Sequence, residues 1–357
     1  MTLILSNDDV ARLLNVEECM AALEPAYVEL ARGKGINRTR SDSIIAHRTV
    51  PDAVYGLKSM DGIVPSLGVG AVRINSDVIS WPKIGNSQRR TKTPAANGRW
   101  VGLVLLFSTE TGEPLAIMPD GVMQRIRVAA ANGIGVKYMA REDADDVAIV
   151  GSGWQAGTQL IAACKTRPVK RIRCWSPSAE NRAKFAAEMS PQLGIEVETT
   201  SDPESAIRGA AIVLCATSSI DPVFFARWIE PGVHISSIKK AEIENAALKK
   251  CDQIALHAHE DKPLHFVEEG ADAADAEVVK GWAAKDDIDF SKLPTVADLI
   301  SGKVKARKKP EDVTAFLNNI GMGYQFAVAG AVVYAKAKEA GAGHELPTEM
   351  FTQDVHP

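Results

Sequence analysis

The sequence predicts an α/β chain of two domains, one of them a parallel sheet wound with crossover helices, and three observations carry that prediction. A length of 357 residues exceeds the size at which one hydrophobic core usually keeps growing. From residue 147 onward, β-branched runs alternate with helical periodicity, the mark of strand-helix-strand units. Between them, Val147 to Val150 lead directly into Gly151, Ser152, Gly153, Trp154, Gln155 and Ala156, and a helical pattern follows. In such a corner the first glycine permits a tight turn and the second lets the backbone approach a pyrophosphate. A small third residue lets the helix pack on the strand, and the helix N-terminus faces the phosphates. A second strand, Arg171 to Trp175, arrives at roughly the twenty-residue spacing this fingerprint expects. Residues 127–315 are therefore assigned to a Rossmann-type dinucleotide-binding domain, and 1–126 with 316–357 to an α+β domain.

Residues 3–5 read as a short strand, and the cap residues at Ser6 to Asp9 start a helix through Leu14. Met20, Leu23, Ala26, Tyr27 and Leu30 recur at helical spacing between Val16 and Arg32. Strands follow at 43–47, 53–59 and 68–74, then a polar, glycine- and proline-bearing loop at 77–98. Runs 100–107 and 114–118 flank a turn and read as a hairpin, and 121–139 as one helix crossing into the second domain. There the strands expected are 147–150, 170–175, 195–197, 211–215, 233–238 and 253–256, with helices at 154–165, 178–188 and 203–207. Residues 260–290 show no periodic pattern, whereas 295–301 and 319–339 read as helices, the last returning to the first domain.

Composition narrows the function. Charged residues at 24% and apolar ones at 46% describe an ordinary globular chain. A net charge of −4 without a concentrated basic block argues against nucleic acid. The N-terminus lacks a signal-peptide pattern and no apolar run is long enough to span a bilayer, so neither export nor a membrane partner is expected. Five cysteines without a CxxC pair read as reduced thiols of a cytoplasmic protein. His257, His259 and His265 lack the ligand spacing of a metal site and read as a polar loop, so no metal is expected, and His234 is placed at a strand end beside the cofactor.

The cofactor expected is NAD or NADP. At the end of the second strand, where NAD enzymes commonly place a carboxylate against the ribose, the chain has Ser176, Ser178 and Arg182 instead. These residues would accept a 2′-phosphate, which favours NADP. Their other reading is a Ser178 helix cap beside a solvated Arg182.

Five motifs in order, Gly102 to Phe107 with Thr111 to Ala116, Arg127 to Ala130, Gly151 to Ala156, Ala216 to Ser219, and Trp228 to His234, resemble the ornithine cyclodeaminase/mu-crystallin family. The resemblance implies a homodimer whose first domain carries the substrate and the subunit contact. It also implies cofactor contacts from Ala216, Thr217 and Ser218, and a small amino-acid or imino-acid substrate. Arg127 matches the family's carboxylate-binding arginine, whose forked donors a lysine cannot imitate, and Arg40 best matches a second one, with Arg38 close enough to exchange roles with it.

Three departures separate the chain from that pattern. The family lysine expected near Gly70 is missing, and Lys58 or Arg73, both in apolar strands, would supply the cation. After His234 to Ser237 the cyclodeaminase acid/base aspartate gives way to Lys239 and Lys240, which would give a proton to an imine nitrogen or hold a second carboxylate. Phe326 stands where an aspartate is usual. The expected function is an NAD(P)H-dependent reductase of an imino acid or cyclic ketimine, running in reverse as an amino-acid dehydrogenase. The alternatives are an ornithine cyclodeaminase that forms proline with loss of ammonia, and a nucleotide-binding crystallin-like protein with little turnover.

Overall fold

The computed structural model describes residues 1–84, 87–88, 90–219, 221–259, 263–269 and 288–355. The described chain divides into two compact units: 1–127, 263–269 and 321–355 form the first, and 128–259 with 288–320 the second.

The first unit is built on a mixed sheet. Strands β1 (Thr2–Ile4), β2 (Ile36–Asn37), β3 (Ser41–Ala46), β4 (Ala53–Val64) and β5 (Val69–Ser80) come first. After them come β6 (Lys83–Ile84), β7 (Ser87–Gln88), β8 (Thr91–Thr93), β9 (Val101–Ser108) and β10 (Pro114–Pro119). With β17 (Leu264–Val267) and β19 (His344–Leu346), the main sheet has the order β17-β3-β4-β5-β9-β10-β1-β19. β4 and β5 are both longer than the sequence pattern indicated, and pair antiparallel from Ala53↔Ser80 to Val64↔Val69. The expected loop at 77–98 is thus partly strand, since β5 runs to Ser80 and β8 pairs with it. Polar composition hid this, because the inward positions of β5 are themselves polar: Arg73, Asn75 and Asp77 are all buried at alternate positions.

Two capped helices, α1 (Asn7–Leu13) and α2 (Val16–Ala31), begin at Ser6 and Asn15, each with a capping box. The C-terminal helix (Gly323–Ala340) packs on β4 and β5 and against α2. It approaches so closely that a Cβ on Gly62 of β4 would fall 2.4 Å from the Tyr324 nitrogen. Apolar side chains occupy the opposite face of the sheet and stand exposed: Leu57, Ile63, Val101 and Leu103.

Helix α3 (Gly121–Met139) leads into the second unit. Its strands β11 (Asp146–Val150), β12 (Arg171–Trp175), β13 (Val197–Thr199), β14 (Ile212–Cys215), β15 (His234–Ser237), β16 (Gln253–Leu256) and β18 (Thr314–Leu317) form one sheet. Its order is β13-β12-β11-β14-β15-β18-β16, and every pair is parallel. Helices α4 (Ala156–Thr166) and α5 (Ala179–Leu193) pack with Val147 and Ile149 on one face, while Ala148 and Val150 join Phe224 and Trp228 on the other. β18 is the strand the sequence pattern did not yield. Its four residues are fully buried and too few to show a period, and they lie just before the C-terminal helix, within reach of its apolar pattern. β18 lies between β15 and β16, the last two strands expected. No described helix is long and apolar enough to cross a membrane.

Candidate functional site

In the second unit the nucleotide corner has the form its spacing predicted. Gly151 sits at φ +117°, and an added Cβ would lie 2.3 Å from the Ala216 carbonyl oxygen, so both backbone conformation and the close approach of the chain leaving β14 require glycine. A Cβ on Gly153 would meet nothing within 4 Å, so no protein contact demands glycine there. Open space beside a glycine at the head of α4 is the cradle a pyrophosphate needs. Ala156 is fully buried in the strand-helix core, Trp154 is largely exposed, and the Gln155 backbone leads into α4. This residue set fits a dinucleotide.

The Ser176 hydroxyl is buried and lies 2.7 Å from that of Ser152, joining the end of β12 to the glycine turn. Ser178 caps α5 by accepting from the Asn181 N–H, and Arg182 donates to the Ser176 carbonyl. All three residues read as 2′-phosphate ligands thus have bonds of their own, while no carboxylate stands at Ser176.

Thr217, after Ala216, is held by a residue the sequence reading passed over. Glu242 is fully buried; its Oε1 accepts from the Thr217 N–H at 2.6 Å and hydroxyl at 2.8 Å, and its Oε2 from the N–H groups of Ile238 and Lys239. Burial raises its pKa against the lowering pull of Lys239 and these hydrogen bonds. One carboxylate therefore ties together the loops leaving β14 and β15. Ser218 is exposed on the first of them. Lys239 donates to the Ser219 carbonyl at 2.7 Å, and Lys240 lies 3.7 Å from the Phe290 ring centroid. The only sequence signal for Glu242 was a carboxylate three residues past the point where an aspartate had been sought.

The histidine expectations need correction. His234 lies at the opening end of β15, paired with Ile212 and Thr314, whereas Gly151 and Ala216 follow the closing ends of β11 and β14. It is buried against Thr314, away from the nucleotide corner. His257 does follow β16 in a loop, but it is buried there, with Nδ1 2.7 Å from the Ile320 carbonyl, while His259 is exposed and His265 is on β17 in the first unit.

That first unit gathers the other candidates on the inner face of its sheet. Lys58 is 5% exposed on β4, Arg73 4% on β5 and Arg127 4% on α3. Register places Asp42 of β3 opposite Lys58, and Lys58 opposite Asn75. Arg40 donates from Nε to Asp42 at 2.8 Å, Arg73 donates from Nε to Asp120 at 2.7 Å, and Asn75 donates to the same Asp120 oxygen. Gly102 makes room for this knot, since a Cβ there would lie 2.0 Å from Asp120 and 2.4 Å from Asn75. Asp77 takes Lys92 at 2.8 Å and Lys58 at 4.0 Å. None of these acids, nor Lys92, was singled out in the sequence, although the alternation Arg73, Asn75, Asp77 is the pattern of a polar face turned inward.

Arg127 differs from its neighbours. It donates to the Gln325 side-chain carbonyl at 2.9 Å, and among the described residues no carboxylate lies within ion-pair distance. Its buried Nε has no hydrogen-bond acceptor there. Burial first, and Arg73 second, push its pKa down, so the charged form lacks full compensation. Phe326, fully buried, has two guanidiniums beside its ring, Arg127 at 4.9 Å and Arg73 at 5.4 Å from the centroid. Among the described residues no cluster of His, Cys, Asp and Glu is arranged to hold a metal ion.

Comparison with known proteins agrees with this anatomy. The chain is 26% identical over 357 residues to an alanine dehydrogenase of Archaeoglobus fulgidus, covering 97% of this chain and 98% of that one. A solved structure of the Thermococcus litoralis Δ1-pyrroline-2-carboxylate reductase, in complex with NADH and L-proline, matches with a TM-score of 0.77 at 25% identity, over 97% of this chain and 100% of that one. An archaeal alanine dehydrogenase dimer with bound NAD shares the fold, with a TM-score of 0.75 at 23% identity over 97% and 99%. The model of one family matches residues 75–341, three quarters of the sequence and both units, and the chain belongs to that family, the ornithine cyclodeaminase/mu-crystallin family.

Proposed function

We propose that this protein is an NAD(P)H-dependent reductase of an imino acid or cyclic ketimine, reversibly an amino-acid dehydrogenase. The observation that carries the reading is the buried Arg127, a forked cation without a carboxylate among the described residues, in a chain that also holds a dinucleotide cradle. Such a guanidinium fits the carboxylate next to a C–N bond. The relatives named above act on, or bind, amino and imino acids of that kind.

The bound coenzyme supplies the hydride that turns C=N into CH–NH, and the nitrogen takes one proton. Gly151, Ser152, Gly153 and the head of α4 would hold the pyrophosphate, and Thr217, fixed by Glu242, the neighbouring part of the coenzyme. Ser176 is the determinant we assign to the choice between NAD(H) and NADP(H). In the first unit Arg127 orients the substrate through its carboxylate. Asp120 and Asn75 hold Arg73, which keeps positive charge beside Phe326. We assign the proton to Lys58, a buried ammonium on the inner face of the sheet that also carries Arg73. Lys239 and Lys240, with their contacts to Ser219 and Phe290, take holding roles in this reading.

The reductase is favoured over the cyclodeaminase by charge. Ornithine would bring a distal ammonium to a set already rich in cations, and Phe326 offers it no carboxylate. The homodimer is assigned to the exposed apolar sheet face of the first unit, a patch of the kind that marks an association surface.

The test is oxidation of NADH and NADPH in the presence of cyclic imines, and of pyruvate with ammonia or methylamine. Turnover with an imino acid is expected. Arg127→Lys should then lower kcat/KM about ten- to a hundred-fold, the equivalent of about 1.5–3 kcal/mol for a hydrogen bond to a charged group, with coenzyme affinity retained. Ammonia release from ornithine, without net oxidation of reduced coenzyme, would establish the lyase instead.

A further inference from the structure

The side chain that meets the Arg127 guanidinium is Gln325, fully buried in the first turn of the C-terminal helix. Its amide oxygen accepts from Arg127 Nη1 at 2.9 Å. Its amide nitrogen donates to the Tyr27 hydroxyl of α2 at 2.8 Å and to the Arg127 backbone carbonyl at 3.3 Å. These bonds decide which way the amide points. A guanidinium only donates, so the amide oxygen must face it; turned over, the amide would set N–H against N–H and oxygen against the Arg127 carbonyl. Tyr27, itself buried, thereby holds the amide from the side away from the guanidinium. Three helices, α2, α3 and the C-terminal one, thus meet in a chain of hydrogen bonds that ends on Arg127.

Phe326, the next residue, adds a second restraint, with its ring centroid 4.9 Å from the guanidinium carbon. Gly321 leaves the outer nitrogens uncrowded, since a Cβ there would lie 3.1 Å from Nη2 and 3.2 Å from Nη1, where an incoming carboxylate oxygen would stand. Orientation matters at such a contact. A two-pronged contact is lost when the guanidinium turns, and a misdirected carboxylate carries the C=N carbon away from the coenzyme. Charge matters equally. A glutamate has the length of Gln325 but would form a buried ion pair with Arg127, and a substrate carboxylate would then compete with it. A neutral amide aims the guanidinium and leaves its charge for the ligand.

We propose that Gln325 is a positioning residue for the substrate carboxylate, aiming Arg127 through its amide oxygen while Tyr27 holds that amide in place. This rests on the reading of Arg127 as the carboxylate ligand of a reductase.

The experiment is calorimetry on the full-length protein saturated with NAD+ or NADP+, whichever binds more tightly, titrated with butyrate and, as the uncharged control, butyramide. The parent should prefer butyrate by at least about tenfold. In Gln325→Glu that preference should fall to about one, with coenzyme affinity retained. Gln325→Met keeps the length and the guanidinium charge but loses the acceptor; its preference should fall about two- to tenfold, the worth of a neutral hydrogen bond. Tyr27→Phe should move the preference in the same direction by less. On an imino acid that turns over, Gln325→Met should lower kcat as well as raise KM, which a change in packing alone does not require. If Gln325→Glu does not fold, Gln325→Met and Tyr27→Phe carry the test. A parent-like preference in the folded Gln325 variants overturns the positioning role and leaves the reductase standing. No preference for butyrate in the parent removes the carboxylate from Arg127 and overturns both. A preference that responds to Gln325 as stated, in a protein that turns over no amino or imino acid, upholds the positioning role and overturns the reductase.

Discussion

A valine at position 153 has room in the protein, since no atom lies within 4 Å of the Cβ it would add. Gly153→Val should therefore fold and melt like the parent, yet lose affinity for NADH and NADPH, because its side chain fills the path of the pyrophosphate. Calorimetry with both coenzymes, alongside circular dichroism, checks this. Ser176→Asp is expected to shift the ratio of the two affinities toward NAD, as a carboxylate there repels a 2′-phosphate and accepts ribose hydroxyls; an unmoved ratio removes Ser176 from the ribose. Such residues could be read in the sequence because a glycine turn is a local feature with fixed spacing. The cationic set could be read only in part. Arg40, Arg73, Arg127 and Lys58 showed as charges in apolar strands or at family positions, whereas Asp42, Asp77 and Asp120 acquire meaning only through cross-strand register. Glu242 was hidden for the same reason, as its partners lie on two loops that only the sheet brings together.

At the scale of elements, β15 carries a titratable group at its buried start. Burial, with Arg307 and Arg167 adding to it, lowers the His234 pKa from 6.5 to about 3. The folded protein thus keeps the imidazole neutral where the unfolded chain would protonate it. This contribution to stability is fully present above pH 6.5 and is lost as the pH falls from there toward about 3. Urea unfolding of His234→Gln should show a shallower loss of stability across that window than the parent. The elements themselves were mostly evident from periodicity: α2, α3, α4 and the β9–β10 hairpin lie close to their expected bounds. Those that escaped, β2, β6, β7, β8, β17, β18 and β19, are two to four residues long, too short for a period of two to declare itself.

For the whole molecule, the exposed apolar face of the first sheet makes a claim about assembly. Leu57 and Leu103 are 44% and 38% exposed on strands β4 and β9, with Val72, Ile74 and Val78 between them on β5. Leu103→Glu should convert the proposed homodimer to monomers in sedimentation equilibrium while leaving NADH affinity intact; a parent protein that sediments as a monomer ends that assignment. The order of the second sheet has a consequence of another kind. Among the described strands β16 pairs with β18 alone, a strand that follows it by nearly sixty residues. A ribosome that has released Leu256 has therefore delivered a strand with no neighbour to join, and β15 keeps an open edge until Thr314–Leu317 emerges. In the first unit β19 closes on β1, so the earliest strand of the chain waits for nearly the last. Chains halted before residue 314 would expose two sticky edges at once, and the completed protein should refold slowly, its rate set by long-range strand pairing and not by its helices.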